Sequence, residues 1–244
     1  MKQYLSYGGG VNSTALLILM TNRGMDFEAV YVDHGCDWPE TREYVAMLQE
    51  SYPITVIKPD VQGFDNIYDY AWREGIFPSR LLRWCTDKFK VTPLNKYFNG
   101  HEPFRVAIGI DAGESHRAKP ADDVDRLKHY PLIRWGFNRE DCKKVIRLAG
   151  LTMPMKSGCW FCPFQRREQW VRLQADHPDL FCRAVALENR VNEGRQSRGK
   201  FPIYLTGNDV SITEFVRAKG RSGHFVSNEQ ESIFETAPPC SCGL

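Results

Sequence analysis

Two groups of residues in this 244-residue chain have the types and spacing that chemistry needs. The first is Gly8-Gly9-Gly10-Val11-Asn12-Ser13-Thr14, which follows an apolar opening and leads into the apolar-periodic run Leu16, Leu17, Leu19 and Met20. Glycines without Cβ let backbone N–H groups approach an anion, Ser13 and Thr14 add hydroxyl donors, and a helix N-terminus contributes about half a positive charge. The segment is expected to bind a phosphate. No Gly-Lys-Ser/Thr closes it as a Walker loop, and no G-x-G-x-x-G makes it a dinucleotide fingerprint, so it belongs to another class of anion loop.

The second group is a set of cysteines. The chain has eight, many for a reducing compartment where disulfides rarely persist, so their clustering points to a metal, an iron-sulfur centre or thiol chemistry. Cys159-Trp160-Phe161-Cys162 is a C-x-x-C, which places two thiolates on one tight turn facing one centre. A second pair from a distant segment, such as Cys240 and Cys242, completes a tetrahedral set or a cubane. Zinc and iron-sulfur are both open on spacing alone. Cys36 and Cys142 have no metal-spaced partner and read as small buried hydrophobes. Cys182 reads the same way within the apolar pattern Leu180, Phe181, Val185, with cluster ligation as its other reading. His34, His116 and His177 likewise have no partner at metal spacing, although His116 neighbours Arg117 and could face a phosphate.

The elements that must position these groups alternate. Strand-like runs fall at 27–32, 54–58 and 104–110, and helical runs at 12–23, 39–50, 90–98 and 139–149. This alternation predicts an α/β fold with a mostly parallel sheet flanked by helices. Ligands on such sheets sit at the carboxyl ends of strands, where the glycine loop, Asp33 and Asp111 all fall. A long helical pattern runs from 163 to about 194, broken near His177-Pro178. The expected organisation is a nucleotide-binding α/β domain over 1–150 and a helical C-terminal region over 151–244 that carries cysteine-rich cluster-binding segments.

Between 60 and 90 the chain is less regular and interleaves rings with cations: Tyr68, Tyr70, Trp72, Arg73, Arg80, Arg83, Trp84, Lys88 and Lys90. Such a stretch could stack bases and neutralise phosphates, or it could be a partly buried insertion whose basic stems lie along apolar surface. The 32 basic and 30 acidic residues leave a formal charge of only +2, so any polyanion site must be local. With 42% hydrophobic residues and no run of about 18 apolar ones, the chain is expected to be soluble and cytoplasmic, without a membrane partner.

On these residues the chain resembles the PP-loop ATP pyrophosphatases and the phosphoadenosine phosphosulfate (PAPS) reductases. Their S-G-G-x-D-S loop corresponds to Gly8-Gly9-Gly10-Val11-Asn12-Ser13, with Gly8 for serine and Asn12 for aspartate. Tyr31-Val32-Asp33-His34-Gly35 with Pro39-Glu40-Thr41 resembles their D-T-G and P-E-T. The segment from Gly109 through Glu114 to Arg117 resembles their G-x-R-x-x-E-S-x-x-R, one residue shorter before the arginine and with Asp111 in place of an arginine. Tyr130-Pro131-Leu132-Ile133-Arg134-Trp135 resembles their P-L-x-x-W. The resemblance implies an adenine nucleotide alpha hydrolase-like fold. It also implies an adenine-nucleotide site made by Gly8, Gly9, Gly10, Asn12, Ser13, Thr14, Asp33, Glu114 and Arg117.

Cys85-Thr86-Asp87-Lys88-Phe89-Lys90-Val91-Thr92-Pro93-Leu94 resembles the C-C-x-x-x-K-x-x-P-L segment of adenylylsulfate reductases, which hold a 4Fe-4S cluster with that pair and a later C-x-x-C. Only one of the first two cysteines is kept. The ligand set this implies is Cys85, Cys159, Cys162 and Cys240, with zinc as the alternative metal and three-cysteine ligation also compatible. Ser241-Cys242-Gly243-Leu244 resembles the E-C-G-L-H tail of the sulfonucleotide reductases, without its glutamate and histidine, which makes Cys242 either the attacking thiol or a cluster ligand; with Cys240 completing the ligand set, Cys242 is left for the chemistry. Arg83-Trp84-Cys85-Thr86 and the Gly158-Cys159-Trp160-x-Cys162 segment also resemble the DNA phosphorothioation sulfur enzymes.

The function implied is adenine-nucleotide-dependent sulfur transfer: adenylation of an acceptor, then thiolation, by an enzyme carrying a 4Fe-4S cluster. One alternative is a sulfonucleotide (PAPS or adenylylsulfate) reductase using Cys242, and another is a non-catalytic, redox-sensing nucleotide-binding module. The implied ligands are ATP or an adenylyl sulfonucleotide, with magnesium as an optional companion. The implied partners are a nucleic-acid or small-molecule sulfur acceptor and a thioredoxin-type or cysteine desulfurase donor.

Overall fold

The structure is a computed structural model that describes residues 1–99, 103–118 and 126–218. In chain order the strands are β1 (Lys2–Tyr7), β2 (Glu28–Val32), β3 (Ile54–Ile57), β4 (Phe104–Ile108) and β5 (Arg126–His129). The helices are α1 (Val11–Asn22), α2 (Pro39–Gln49), α3 (Ile67–Glu74), α4 (Trp84–Thr86), α5 (Thr92–Phe98), α6 (Pro131–Arg134), α7 (Arg139–Leu148), α8 (Arg167–Asp176), α9 (Pro178–Gln196) and α10 (Ile212–Arg217). A π-helical turn, Asp87–Val91, precedes α5. The contacts divide into two units: residues 1–67 with 84–159, and residues 68–83 with 160–218 of the described chain.

The first unit is built on a five-stranded sheet of order β3-β2-β1-β4-β5, in which every pairing is parallel. β1 is central, and Tyr4, Leu5 and Tyr7 on it are buried, as a strand covered on both faces requires. α1 is apolar nearly all round: Ala15, Leu16, Leu17, Ile18 and Met20 are at most 2% exposed. A helix of that kind must be covered on two sides, and it packs between the sheet and α7. α7 starts where the sequence provides a cap. Asn138 Oδ1 accepts from the N–H groups of Glu140 and Asp141 at 2.8 and 3.0 Å, and Asp141 answers by accepting from the Asn138 N–H, a reciprocal capping box. On the other face Tyr4, Val30, Phe98 and Phe104 form a second cluster, with Tyr4 stacked on Phe98 at 4.2 Å.

The strand order reverses between β1 and β4. β1 leads by way of α1 to β2 on one side, whereas β4 lies on the other. This is the topological switch point at which open parallel sheets bind ligands, and the glycine loop follows β1 there while Asp111 follows β4. The short strand β5 was not anticipated from the sequence; Arg126-Leu127-Lys128-His129 carries three basic residues in four and gains strand geometry from pairing with β4.

In the second unit, α8 and α9 pack as a pair with α10 against them, burying Trp170, Leu173, Phe181, Leu187, Val191 and Val216. The break before Pro178 is the one anticipated, because proline fits only the first turn of the new helix. Glu188 is 2% exposed and accepts from the N–H groups of Leu205 at 2.8 Å and Ile212 at 2.9 Å, so one carboxylate pins the 205–212 connection. Residues 67–74, left irregular by the sequence pattern, form α3 because Tyr68, Tyr70 and Ala71 bury one face. No helix among the described residues is long and apolar enough to cross a membrane.

Candidate functional site

The glycine loop is wrapped around its own serine. The N–H groups of Gly8 and Gly10 point at Ser13 Oγ at 3.4 and 3.2 Å, and that hydroxyl donates to the Gly10 carbonyl at 3.0 Å. Two backbone donors and one hydroxyl therefore converge at the N-terminus of α1, the arrangement that receives a phosphate oxygen. Gly9 has φ +67°, and a Cβ there would lie 2.8 Å from Thr41 Cγ2. Gly10 has ordinary dihedrals, but its Cβ would lie 2.7 Å from Ser157 Oγ. The loop needs glycine at 9 and 10 because α2 and the 157 segment press on it, whereas a Cβ at Gly8 would meet nothing within 4 Å.

Of the other residues expected here, Thr14 is fully buried and its hydroxyl is bonded to the Tyr7 hydroxyl at 3.1 Å. It ties α1 to β1, so its part in the loop is to hold the helix start in place. Thr41, in the Pro39-Glu40-Thr41 segment, is 1% exposed, and its hydroxyl has no hydrogen-bond partner among the described residues. Its methyl borders Gly9, which places an unclaimed polar group beside the loop. Asp33 follows β2, accepts from the Gly35 N–H at 3.0 Å and faces the Arg42 guanidinium at 3.5 Å. Glu114 and Arg117 lie on a 3-10 turn after β4 and pair with each other at 2.6 Å. Arg117 would have to leave that exposed pair to meet an anion.

Asn12 and Asp111, two of the positions at which the phosphate loop and the strand-end motif depart from the pattern they resemble, touch each other. Asn12 Nδ2 donates to Asp111 Oδ2 at 2.7 Å, and Asp111 Oδ1 accepts from the Gly113 N–H at 2.8 Å. The contact ties the first turn of α1 to the segment after β4, across the switch point.

Cys85 sits half-buried on α4, and Cys159 half-buried at an antiparallel bridge to Asp37; both belong to the first unit, whereas Cys162 lies in the second. Cys240 and Cys242 lie outside the described residues. Cys142 is buried, which pushes its thiol up to about 12, and buried Cys36 bonds Asn66 Oδ1 at 3.1 Å, so both behave as the structural thiols expected.

The fold also gives His34 the partners that sequence spacing did not. One ligand atom each from His34, Asp37 and Cys159 lie within 4.8 Å of one another. His34 Nε2 is 3.4 Å from Asp37 Oδ1 and 4.0 Å from Cys159 Sγ, and His34 Nδ1 accepts from the Cys36 N–H at 3.3 Å. The three atoms are spaced as ligands of one ion would be, but the Nδ1 contact leaves the ring proton on Nε2. The arrangement present is an N–H facing both a carboxylate and a sulfur. Burial would raise the Asp37 carboxyl, but the His34 ring, Lys90 and the Tyr31 hydroxyl, which donates at 2.6 Å, hold it well below the usual carboxylate range. Only the turn between His34 and Asp37 hinted at this cluster, and nothing in the sequence brought Cys159 to it.

The aromatic and basic stretch divides in two. Arg183 stacks on Tyr68 at 4.2 Å, Arg190 covers Trp72 at 4.8 Å, and Arg80 donates to the carbonyls of Pro163 and Thr206, so much of it serves packing in the second unit. In the first unit Lys58, Lys88 and Lys96, with Asp60, Thr92 and Tyr97, line a cleft of about 460 Å³ beginning at Ile57, the last residue of β3; Lys58 also faces Asp65 at 3.5 Å. The Asp33 N–H bonds the Ile57 carbonyl at 2.9 Å, so this basic cleft lies one strand over from Asp33.

The family model of the phosphoadenosine phosphosulfate reductase domain matches residues 2–151, more than half of the chain and the region that carries the glycine loop. The chain belongs to this family. Adenosine 5'-phosphosulfate reductase 1 of Bacillus subtilis is 27% identical over 136 residues, 52% of this chain and 56% of that protein. The nin region protein ORF290 of Escherichia phage lambda is 29% identical over 171 residues, 58% and 57% of the two chains. An uncharacterized protein of Methanocaldococcus jannaschii, MJ0973, is 23% identical over 199 residues, 76% of this chain and 47% of its own. The chain thus spans about half the length of the curated relatives it matches. Its fold is also that of a PAPS reductase from Candida auris solved as a phosphate complex, with TM-score 0.51 and 16% identity over 66% of this chain and 82% of that one.

Proposed function

We propose that this PAPS reductase domain protein is an adenine-nucleotide-dependent sulfur-transfer enzyme. The observation that carries the reading is the convergence of the Gly8 and Gly10 N–H groups on Ser13 Oγ at the N-terminus of α1, where a nucleotide phosphate would take over the two donors. Asp33 would face the sugar or base, and Arg117, released from Glu114, would neutralise phosphate oxygens. The basic cleft at Lys58, Lys88 and Lys96 supports an anionic acceptor.

In this scheme an acceptor oxygen attacks the α-phosphorus of ATP and pyrophosphate leaves. Sulfide sulfur delivered by a donor protein then attacks the activated carbon, and AMP departs with the oxygen. On cysteine spacing, Cys85, Cys159, Cys162 and Cys240 would hold a 4Fe-4S cluster. The half-buried thiols of Cys85 and Cys159, with an N–H from His34 facing the latter, are donors of the right chemistry for it. Such a cluster would supply a site for sulfide or electron exchange. Zinc is the alternative metal for the same cysteine set.

A second reading, sulfonucleotide reduction with Cys242 as nucleophile, is favoured by the reductase names of the Bacillus and Candida relatives. Incubating anaerobically purified protein with ATP and candidate acceptors, and separately with adenylylsulfate or PAPS plus thioredoxin, tests both. Acceptor-stimulated pyrophosphate release supports sulfur transfer, and sulfite release supports reduction. Nucleotide binding with neither product would refute both in favour of a non-catalytic module. Iron, zinc and acid-labile sulfide analysis of the same preparation decides the metal.

A further inference from the structure

Asn12 is 8% exposed and Asp111 only 2%. The amide of Asn12 has one possible orientation, because turning it over would set its carbonyl oxygen against Asp111 Oδ2 in place of the 2.7 Å donor contact. Asp111 is itself fixed by the Gly113 N–H, and β4 is held hard against the start of α1: a Cβ on Gly109 would lie 3.0 Å from the Ser13 nitrogen. With Nδ2 committed, Asn12 Oδ1 is left buried and without a hydrogen-bond partner among the described residues. Asp111, equally, faces no cationic side chain in any described ion pair. Both Asp111 oxygens are met by donors, but a buried acceptor left unmet in the first turn of α1, beside the phosphate loop, is costly unless a ligand completes it.

We infer that Asp111 is a positioning residue that locks the Asn12 amide so that its carbonyl oxygen receives an electropositive group of the bound nucleotide. Two groups on a nucleotide have that character: a divalent cation carried on its phosphates, which takes few protein oxygens beside phosphate oxygens, and a sugar hydroxyl acting as donor. The inference rests on the nucleotide-site reading and deepens it. It gives the departures at positions 12 and 111 a joint purpose in place of two separate losses.

The experiment is calorimetric titration of the full chain with ATP, with and without Mg2+, and with 2'-deoxy- and 3'-deoxy-ATP. The proteins are wild type, Asp111→Asn, Asn12→Asp and the exchanged pair Asn12→Asp with Asp111→Asn. Wild type should lose about tenfold in affinity when either Mg2+ or one sugar hydroxyl is removed, the size expected for one buried acceptor left unmet, and the arm that responds identifies the group. Asp111→Asn frees the amide to turn, and Asn12→Asp sets two carboxylates against each other, so each single variant should lose that discrimination. The exchanged pair restores one donor contact and one unclaimed oxygen and should recover it. A purely structural role would shift melting temperature in the single variants and leave the Mg2+ and hydroxyl dependence intact, which overturns the inference. So does a wild type whose affinity is indifferent to Mg2+ and both hydroxyls, an outcome that needs no variant to fold. Failure of wild type to bind any adenine nucleotide would instead refute the nucleotide-site reading itself.

Discussion

Replacing Gly9 by alanine separates the two reasons the loop has for glycine. At φ +67° an alanine carries the left-handed penalty of about 1–2 kcal/mol. Its Cβ also meets Thr41 Cγ2 at 2.8 Å and Val45 Cγ2 at 3.2 Å. Both neighbours are β-branched residues on α2, Val45 with χ1 nearly fixed in a helix and Thr41 restricted to two rotamers, so relief requires turning buried Thr41 or moving α2 or the loop, at about 1–3 kcal/mol. Gly24→Ala is the control, since Gly24 has φ +60° and nothing within 4 Å of its Cβ. It bears the backbone penalty alone, and both variants share the same gain from a stiffer unfolded chain. The difference between them is therefore the steric part, about 1–3 kcal/mol. At about 2–4 °C per kcal/mol for a chain of this size, Gly9→Ala should melt some 2–12 °C below Gly24→Ala. Thermal and urea unfolding measure this, and titration with ATP should show affinity lost in Gly9→Ala and kept in Gly24→Ala. Equal melting temperatures would refute the claim that α2 presses on the loop, and undiminished nucleotide affinity in Gly9→Ala would refute the assignment of the loop.

Further outcomes are expected elsewhere. Gly10→Ala should destabilise by about 1 kcal/mol or more through the Ser157 contact, and adding Ser157→Ala should restore stability because the next atom is 3.5 Å away; simple additivity of the two would refute the contact. His129 is held neutral by burial and by the charges of Arg105 and Arg134, which lower its pKa to about 4. The unfolded chain takes up that proton below about 6.5, so the stability this ring confers is complete above that value and is lost as pH falls toward 4. Melting curves over that range should be steeper for wild type than for His129→Gln, and parallel curves would exclude the assignment. Tyr31→Phe removes a 2.6 Å donor from the buried Asp37 carboxylate and should cost about 1.5–3 kcal/mol in urea unfolding. Glu188→Gln should destabilise the second unit by about 1–3 kcal/mol, because an amide can accept only one of the two N–H groups that Glu188 now holds.

Much of the first unit is legible in the chain itself. The apolar runs of β1 to β4, the all-round apolar α1, Pro39 opening α2 and Asn138 capping α7 are local signals, and local signals suffice because each element announces its own burial. The glycine loop is legible for the same reason, since its residue types and its place between a strand and a helix lie within a few positions. β5 was not legible, because Arg126-Leu127-Lys128-His129 has no intrinsic strand pattern and acquires one only from β4 beside it. α3 was masked by rings and cations that resemble a nucleic-acid surface until Arg183 and Arg190, more than a hundred residues away, are seen lying over Tyr68 and Trp72.

Tertiary structure alone decided which residues meet. Asn12 and Asp111 are ninety-nine positions apart and read separately as two lost functional groups; the parallel order β2-β1-β4 sets the ends of β1 and β4 side by side and turns them into one hydrogen-bonded pair. His34 has no metal-spaced neighbour along the chain, yet the bridge between Asp37 and Cys159 brings a sulfur to its ring. The sequence determined the loop, the strands and the thiols, because these follow from residue types and short-range periodicity. Which of them share a site depended on strand order and chain crossing, and those are set by long-range packing of the sheet.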